Sequence, residues 1–182
     1  MSRHYHTFET AWGVCAIAWS ARGVSRFILP EADIQAAERA LLRRYRDAMP
    51  AEPPPAIAET IAAARHYFSG ARTDFSAVVL DFGSTEDLFL KIYAAAREIG
   101  WGETTTYGAL ARKFGDDWEL ARDVGQAMAK NPVPLIVPCH RVLAAGGKTG
   151  GFSAPGGVDT KTRMLALEGV RLTDAAQGAL GF

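Results

Sequence analysis

Only two cysteines, Cys15 and Cys139, occur in 182 residues, far apart and unaccompanied by others. That scarcity argues against a disulfide framework and against a cysteine-rich zinc module, and it makes a reducing cytoplasm the expected setting. Excess charge of either sign is missing too: 20 Lys and Arg balance 20 Asp and Glu. Without a general basic field, any contact with DNA has to be local and driven by shape. Long apolar runs are absent; Trp12 to Trp19 is too short to span a bilayer and follows Glu9 rather than a basic stretch. No signal peptide or membrane anchor is therefore expected. The glycine-rich segment 146–157 lacks the lysine and serine spacing of a phosphate-binding loop and the strand-helix setting of a dinucleotide fingerprint. It reads as a pocket wall or lid.

What is present is a hydrophobic share of 48%, enough to bury a core in one domain or two small ones. Tyr5 to Thr10, Val14 to Ser20 and Val24 to Leu29 read as three strands, the first two joined around Gly13. Ile34, Ala37, Leu41, Leu42 and Tyr45 recur at helical spacing, opposite Glu38, Arg39, Arg43 and Arg46, giving an amphipathic helix to cover that sheet. After Pro53-Pro54-Pro55, the stripe Ile57, Ile61, Ala64 and Phe68 predicts a second helix ending near Gly70, and Val78 to Phe82 a short strand or connector. The main boundary is placed near Gly83, giving an α/β domain over 1–83 and a mainly helical one over 84–182, an α+β chain overall.

In the second part, Ser84 with Asp87 suggests a capping box before the stripe Leu88, Ile92, Ala95 and Ile99. Thr105 or Thr106 can cap a helix through Leu110 and Phe114, stopped by Gly115; Asp116 with Glu119 starts another containing Leu120, Val124 and Met128. Two helices joined so tightly outline a helix-turn-helix, although a short helical corner is more often plain packing. Ala121, Gly125 and Ala127 are small enough for a helix to approach another surface closely, whether DNA or the protein's own interior. Arg122 stands among them; its plainest reading is a solvated arginine paired with Glu119.

The chemistry concentrates in Pro138-Cys139-His140-Arg141-Val142, just after the apolar run Leu135-Ile136-Val137. Cys139 is a candidate nucleophile, provided the fold makes its thiolate accessible. In an extended segment Cys139 and His140 would point to opposite faces, so a bridging water or a turn after Pro138 is needed to connect them. The histidine also needs a carboxylate to orient it, and Glu168 is the candidate: as a glutamate in the last turn of a helix it opposes the macrodipole, although a solvent-exposed glutamate is the simpler reading. Asn131, in Asn131-Pro132-Val133-Pro134, can bond turn backbone groups.

Taken together, Asn131-Pro132-Val133-Pro134, the pentapeptide, the glycine-rich loop and Leu165-Ala166-Leu167-Glu168-Gly169 closely resemble the O6-alkylguanine-DNA alkyltransferases, also called methylated-DNA-protein-cysteine methyltransferases. Gly102 to Ala111 and Ala121 to Gly125 are similar to that family's helix-turn-helix segments. The resemblance covers roughly Ser84 to Gly169. It implies a ribonuclease H-like first domain and a winged helix-turn-helix-like element in the second. It implies that Cys139 accepts the alkyl group from O6-alkylguanine, with O4-alkylthymine as a second candidate, in double-stranded DNA, and is consumed. His140 would deprotonate Cys139 through a water, Glu168 would orient His140, and Asn131 would hold the turn. Tyr107 would assist base flipping and hydrogen-bond the guanine, a task a phenol suits.

By the same resemblance Arg122 is the finger that fills the gap left by the flipped base. Ala121, Gly125, Tyr107 and Gly108 belong to the DNA face, and Met128, Pro134, Val142 and Ser153 to the base pocket. Asp123 departs from the small neutral residue expected beside Arg122, and Phe152 replaces a tyrosine. No metal and no cofactor is expected, Cys15 being read as a small buried hydrophobe, and the chain is expected to act as a monomer. Two other functions fit less of the sequence: a module that binds alkylated guanine without accepting the alkyl group, and a cysteine hydrolase.

Overall fold

The structure is a computed structural model that describes residues 2–154 and 156–172. Pro155 of the glycine-rich loop and residues 173–182 of the expected second domain lie outside the described residues. Two compact units emerge, one of Met1–Ser84 with Pro132–Ile136, the other of Thr85–Asn131 with Val137–Phe182.

In the first unit, β1 (His4–Thr10), β2 (Gly13–Ser20) and β3 (Gly23–Glu31) form an antiparallel meander. Gly13 makes the tight return possible: its φ is 132°, and a Cβ there would collide with the Glu31 carbonyl oxygen. A fourth strand that periodicity does not announce, β4 (Met49–Pro50), pairs parallel to β1, so the sheet order is β3-β2-β1-β4 and the sheet is mixed. Helix α1 (Ile34–Leu42) starts where the Asp33 carboxylate accepts the Ala36 amide at 2.7 Å. Its Ala37, Ala40 and Leu41 close over Tyr5, Val14, Ala16, Ala18 and Ile28 to make one core. Helix α2 (Pro55–Phe68) begins with proline at its first position, where no amide hydrogen is needed. Val78 to Phe82 is a connector with a single parallel bridge from Leu80 to Val24. Cys15 is fully buried in β2, and burial holds it as a thiol.

The apolar run Leu135-Ile136-Val137 is core, but as a turn: Leu135 takes φ 79°, the only non-glycine among the described residues with positive φ. A buried leucine held there costs about 1–3 kcal/mol, which the surrounding packing has to offset.

The second unit holds α3 (Asp87–Arg97), α4 (Tyr107–Ala111), α5 (Glu119–Ala129) and α6 (Gly157–Leu167), with β5 (Thr105–Thr106) paired parallel to β6 (Val142–Leu143). Ser84 does not cap α3: the helix starts late, with Glu86 at its cap position and no side-chain cap bond. Thr106 does cap α4, accepting the Ala109 amide at 3.1 Å. That helix ends at Ala111 rather than Phe114, because Lys113 and Phe114 close shorter bonds to Leu110 and Ala111 before Gly115 turns the chain. Asp117, not Asp116, supports the start of α5 by accepting the Glu119 amide at 3.0 Å.

Candidate active site

Proline at 138 sets the geometry of the pentapeptide. At φ −79° and ψ 64°, Pro138 is the centre of an inverse γ-turn in which the Cys139 amide donates to the Val137 carbonyl at 2.8 Å. A 3-10 turn follows over Cys139–Arg141, closed by the Arg141 amide on the Pro138 carbonyl at 3.0 Å. Neighbouring side chains on such a turn are not thrown to opposite faces as on a strand, so the obstacle to a Cys139–His140 relay disappears. Asn131 ties the turn from outside, its Nδ2 donating to the Val137 carbonyl at 2.9 Å.

Cys139 is 5% exposed. Burial pushes its thiol pKa up, and four influences act against it: a hydrogen bond from Asn131, the Lys161 charge, and the backbone amides of Cys139 and His140. Burial wins, so the resting sulfur is a thiol surrounded by groups that favour the thiolate.

His140 is fully buried, and its Nε2–H donates to Glu168 Oε1 at 2.6 Å. Burial is the largest influence and lowers the imidazole pKa, outweighing the pull of Glu168 toward the charged form, so His140 is neutral at pH 7. Since Nε2 is committed to Glu168, proton exchange with the thiol has to use Nδ1. Glu168 caps the C-terminal end of α6, where the helix dipole opposes it. Its compensation is Arg141, whose Nε and Nη2 grip the two carboxylate oxygens at 2.9 and 3.1 Å while Nη1 donates to the Ile99 carbonyl. Burial works against the carboxylate, but hydrogen bonds from His140 and Arg141 outweigh it and bring its pKa down to about 2. The Gly102 amide adds a further bond at 3.3 Å.

Lys161 is the site residue that sequence reasoning missed. Fully buried, it donates from Nζ to the Val142 carbonyl at 2.7 Å and lies 5.7 Å from the ring centre of Tyr107 and 6.0 Å from that of Phe152. Burial lowers its pKa to about 8, partly opposed by Cys139. A signal existed: positions 161, 164, 165 and 168 share one helical face, so Lys161 belongs to the apolar stripe of Met164 and Leu165. Arg141 went unassigned for a different reason, its partner being 27 residues away.

Tyr107 opens α4, half-buried, with its phenol pKa raised by burial and then by Cys139. The glycine-rich loop presses on it: a Cβ at Gly150 would sit 3.2 Å from the Tyr107 hydroxyl. Met128 and Val142 are buried, Ser153 is exposed with its hydroxyl donating to the Ala129 carbonyl at 2.8 Å, and Pro134 belongs to the first unit. On α5, Val124, Ala127 and Met128 face inward while Arg122 is exposed. A Cβ added at Gly125 would meet nothing within 4 Å, and at Gly108 only the end of the Arg112 guanidinium, at 4.0 Å. Packing inside the protein therefore does not require glycine at either position. Asp123 is partly exposed, and Trp118, just before α5, is 76% exposed. Among the described residues no group of three or more His, Cys, Asp or Glu is placed to hold a metal ion, and no helix is long and apolar enough to cross a membrane.

The model of the 6-O-methylguanine DNA methyltransferase DNA binding domain matches residues 87–170, which contain this whole site. A methylated-DNA–protein-cysteine methyltransferase of Methanothermobacter thermautotrophicus is 33% identical over 156 residues, 86% of this chain and 80% of that protein. One from Metallosphaera sedula is 40% identical over 104 residues, 57% of this chain and 62% of its own length. Among solved structures, Mycobacterium tuberculosis O6-methylguanine methyltransferase matches 91% of this chain and 92% of its own with a TM-score of 0.70 at 31% identity. The M. tuberculosis OGT solved in complex with DNA matches 91% and 92% with a TM-score of 0.71 at 32% identity. With a buried cysteine on a proline-set turn, and likeness running through both units, the chain belongs to the methylated-DNA–protein-cysteine methyltransferase family.

Proposed function

We propose that this protein repairs alkylated double-stranded DNA by moving the alkyl group from O6 of guanine to Cys139, once per molecule. The observation that carries the reading is the setting of Cys139: a buried thiol whose neighbours Asn131, Lys161 and two backbone amides all favour the thiolate. The thiol proton passes through a water to Nδ1 of His140, Glu168 stabilises the imidazolium that results, and Arg141 holds Glu168 in place as a carboxylate. The sulfur then forms a C–S bond as the C–O6 bond breaks, and the electron pair goes to the guanine. Tyr107 donates a hydrogen bond to the base as that charge develops, and the proton held on His140 restores neutral guanine through solvent. The thioether has no route back to a thiol, so the protein is consumed.

Arg122 on α5 fills the gap left by the flipped base, with Ala121, Gly125 and Gly108 allowing close approach to the duplex. Met128, Val142 and the backbone at Ser153 are assigned to the base pocket. The finer reading takes the 1–83 domain as ribonuclease H-like and the 84–182 domain as a winged helix-turn-helix alkyltransferase domain. The chain acts as a cytoplasmic monomer without cofactor, and O4-alkylthymine is a second candidate substrate.

Mixing the protein with a duplex containing O6-methylguanine and measuring intact mass tests this directly. One added methyl on Cys139 per molecule is the expected result; tight binding without added mass would favour a lesion-binding module, and sustained turnover of an ester a hydrolase. Arg122→Ala is expected to slow transfer from duplex DNA about tenfold or more, the scale of about 1.4 kcal/mol or more of lost support for flipping. Transfer from free O6-benzylguanine base, which needs no flipping, should be unchanged; equal loss on both substrates would remove the finger assignment.

Lys161→Met is expected to raise the Cys139 pKa and to slow transfer at pH 7 about tenfold for each unit of that rise. In the natural protein the rate should climb with pH and flatten above about 8, where Lys161 loses its proton and its help to the thiolate ends. In the variant it should climb without that break.

A further inference from the structure

Away from Cys139, the first unit gathers arginines that have no counter-ions. A cavity of about 400 Å³ between the start of β1 and the α1–β4 connection is lined by Ser2, Arg3, Arg44, Tyr45, Arg46, Asp47, Ala48 and Met49. The Arg3 guanidinium lies 4.4 Å from the centre of the Tyr45 ring and that of Arg26 lies 5.8 Å from it. Arg26 is half-buried, and its Nε is shielded from solvent without a hydrogen-bond partner. Desolvation and then the like charges of Arg44 and Arg43 disfavour its cation, against a pull from Tyr45. Among the described residues none of Arg3, Arg26, Arg43, Arg44 and Arg46 forms an ion pair. Asp47 is the one carboxylate in the lining, and the nearby Glu38 accepts from the Tyr5 hydroxyl instead.

Hydrogen bonds hold the Tyr45 ring and the backbone at Arg3, around which the arginines gather. The Tyr45 hydroxyl donates to the Ser25 carbonyl at 2.9 Å, and the Met49 amide to the Arg3 carbonyl at 3.0 Å. Like charges gathered around one aromatic ring repel, and an anion placed among them removes that repulsion while meeting forked N–H donors. Guanidinium forks match carboxylate and phosphate oxygens alike, and a phosphate group offers several cations more oxygens and more charge than a carboxylate does.

We infer that the arginine cluster around Tyr45 is a binding site for a phosphate group, supplied either by the DNA backbone or by a small phosphate. The site is separate from the Cys139 chemistry and does not depend on it. The full-length protein and the variant Arg3→Gln/Arg44→Gln, both exposed positions, would be titrated with inorganic pyrophosphate and with undamaged duplex DNA across a salt series. If DNA is the source, the slope of log affinity against log salt should fall by about 1 to 2 in the variant, near 0.9 per lost phosphate contact, with pyrophosphate competing. If a small phosphate is the source, pyrophosphate affinity should drop at least tenfold with the DNA slope unchanged. Arg26→Met, which removes the shielded cation, should lower the same affinity. No pyrophosphate binding by the natural protein and an unchanged DNA slope in the variant would overturn the site. Alkyl transfer from free O6-benzylguanine should be equal in all forms, so a failure of the alkyl-transfer reading would show there, apart from the anion result.

Discussion

Cys139→Ser is expected to reduce alkyl transfer to background while leaving the fold and duplex binding intact. Oxygen replaces sulfur at nearly constant volume in a position 5% exposed, so the surrounding packing is preserved. What changes is nucleophilicity. The groups that favour an anion at this position, Asn131, Lys161 and two amides, do not bring even the cysteine below its ordinary range, because burial outweighs them. A serine hydroxyl starts far less acidic than a thiol and is left un-ionised by the same neighbours. Intact mass after incubation with an O6-methylguanine duplex should show no methyl gain, and a mobility shift should show unchanged binding. Methyl gain by the serine form would place the acceptor elsewhere.

Glu168→Gln is expected to destabilise the protein by about 3–5 kcal/mol, because it removes the counter-charge of a buried Arg141. For a chain of this size that lowers Tm by very roughly 6–20 °C, measurable by calorimetry. Arg141 and Glu168 side chains are 8% and 0% exposed, so solvent cannot take over the lost partner. Adding Arg141→Met should recover much of the stability, since an apolar replacement leaves no buried charge, but should not recover transfer, because His140 stays unsupported. The pH dependence follows from the direction of the shift. The Glu168 pKa falls from 4.5 to about 2, so its contribution is present in full above about pH 4.5 and is lost as pH drops toward 2. His140, whose pKa burial lowers from 6.5, acts in the same direction at higher pH: its contribution is complete above 6.5 and declines as acid forces the buried ring to charge. Acid unfolding of the glutamine form should lack the part that belongs to the carboxylate.

Some of this was readable along the chain. Strands β1 to β3 and helices α1 and α2 stand within a few residues of their expected positions, because alternation, helical spacing and the breaks at Gly13 and Pro53 to Pro55 are local signals. The Thr106 cap was readable for the same reason. Strand β4 was not: two residues carry no period, and their pairing with His4 and Tyr5 exists only through the backbone. Nor was the return of Pro132–Ile136 to the first unit, where the Phe27 amide meets the Pro132 carbonyl at 3.0 Å across more than a hundred residues.

Residue types and short spacings in the sequence marked Cys139, His140, Glu168 and Asn131 as candidates, and the family resemblance that these segments carry added Tyr107 and the finger role of Arg122. Tertiary structure decided what surrounds them. It turned the pentapeptide about Pro138, brought Glu168 to His140 across 28 residues, paired that glutamate with Arg141, and drew the Lys161 charge into the apolar interior beside the thiol. Local sequence encodes which atoms are available, since chemistry and backbone preference belong to single residues and their neighbours. Burial and electric field are sums over residues distant in the chain, and only the folded packing determines them.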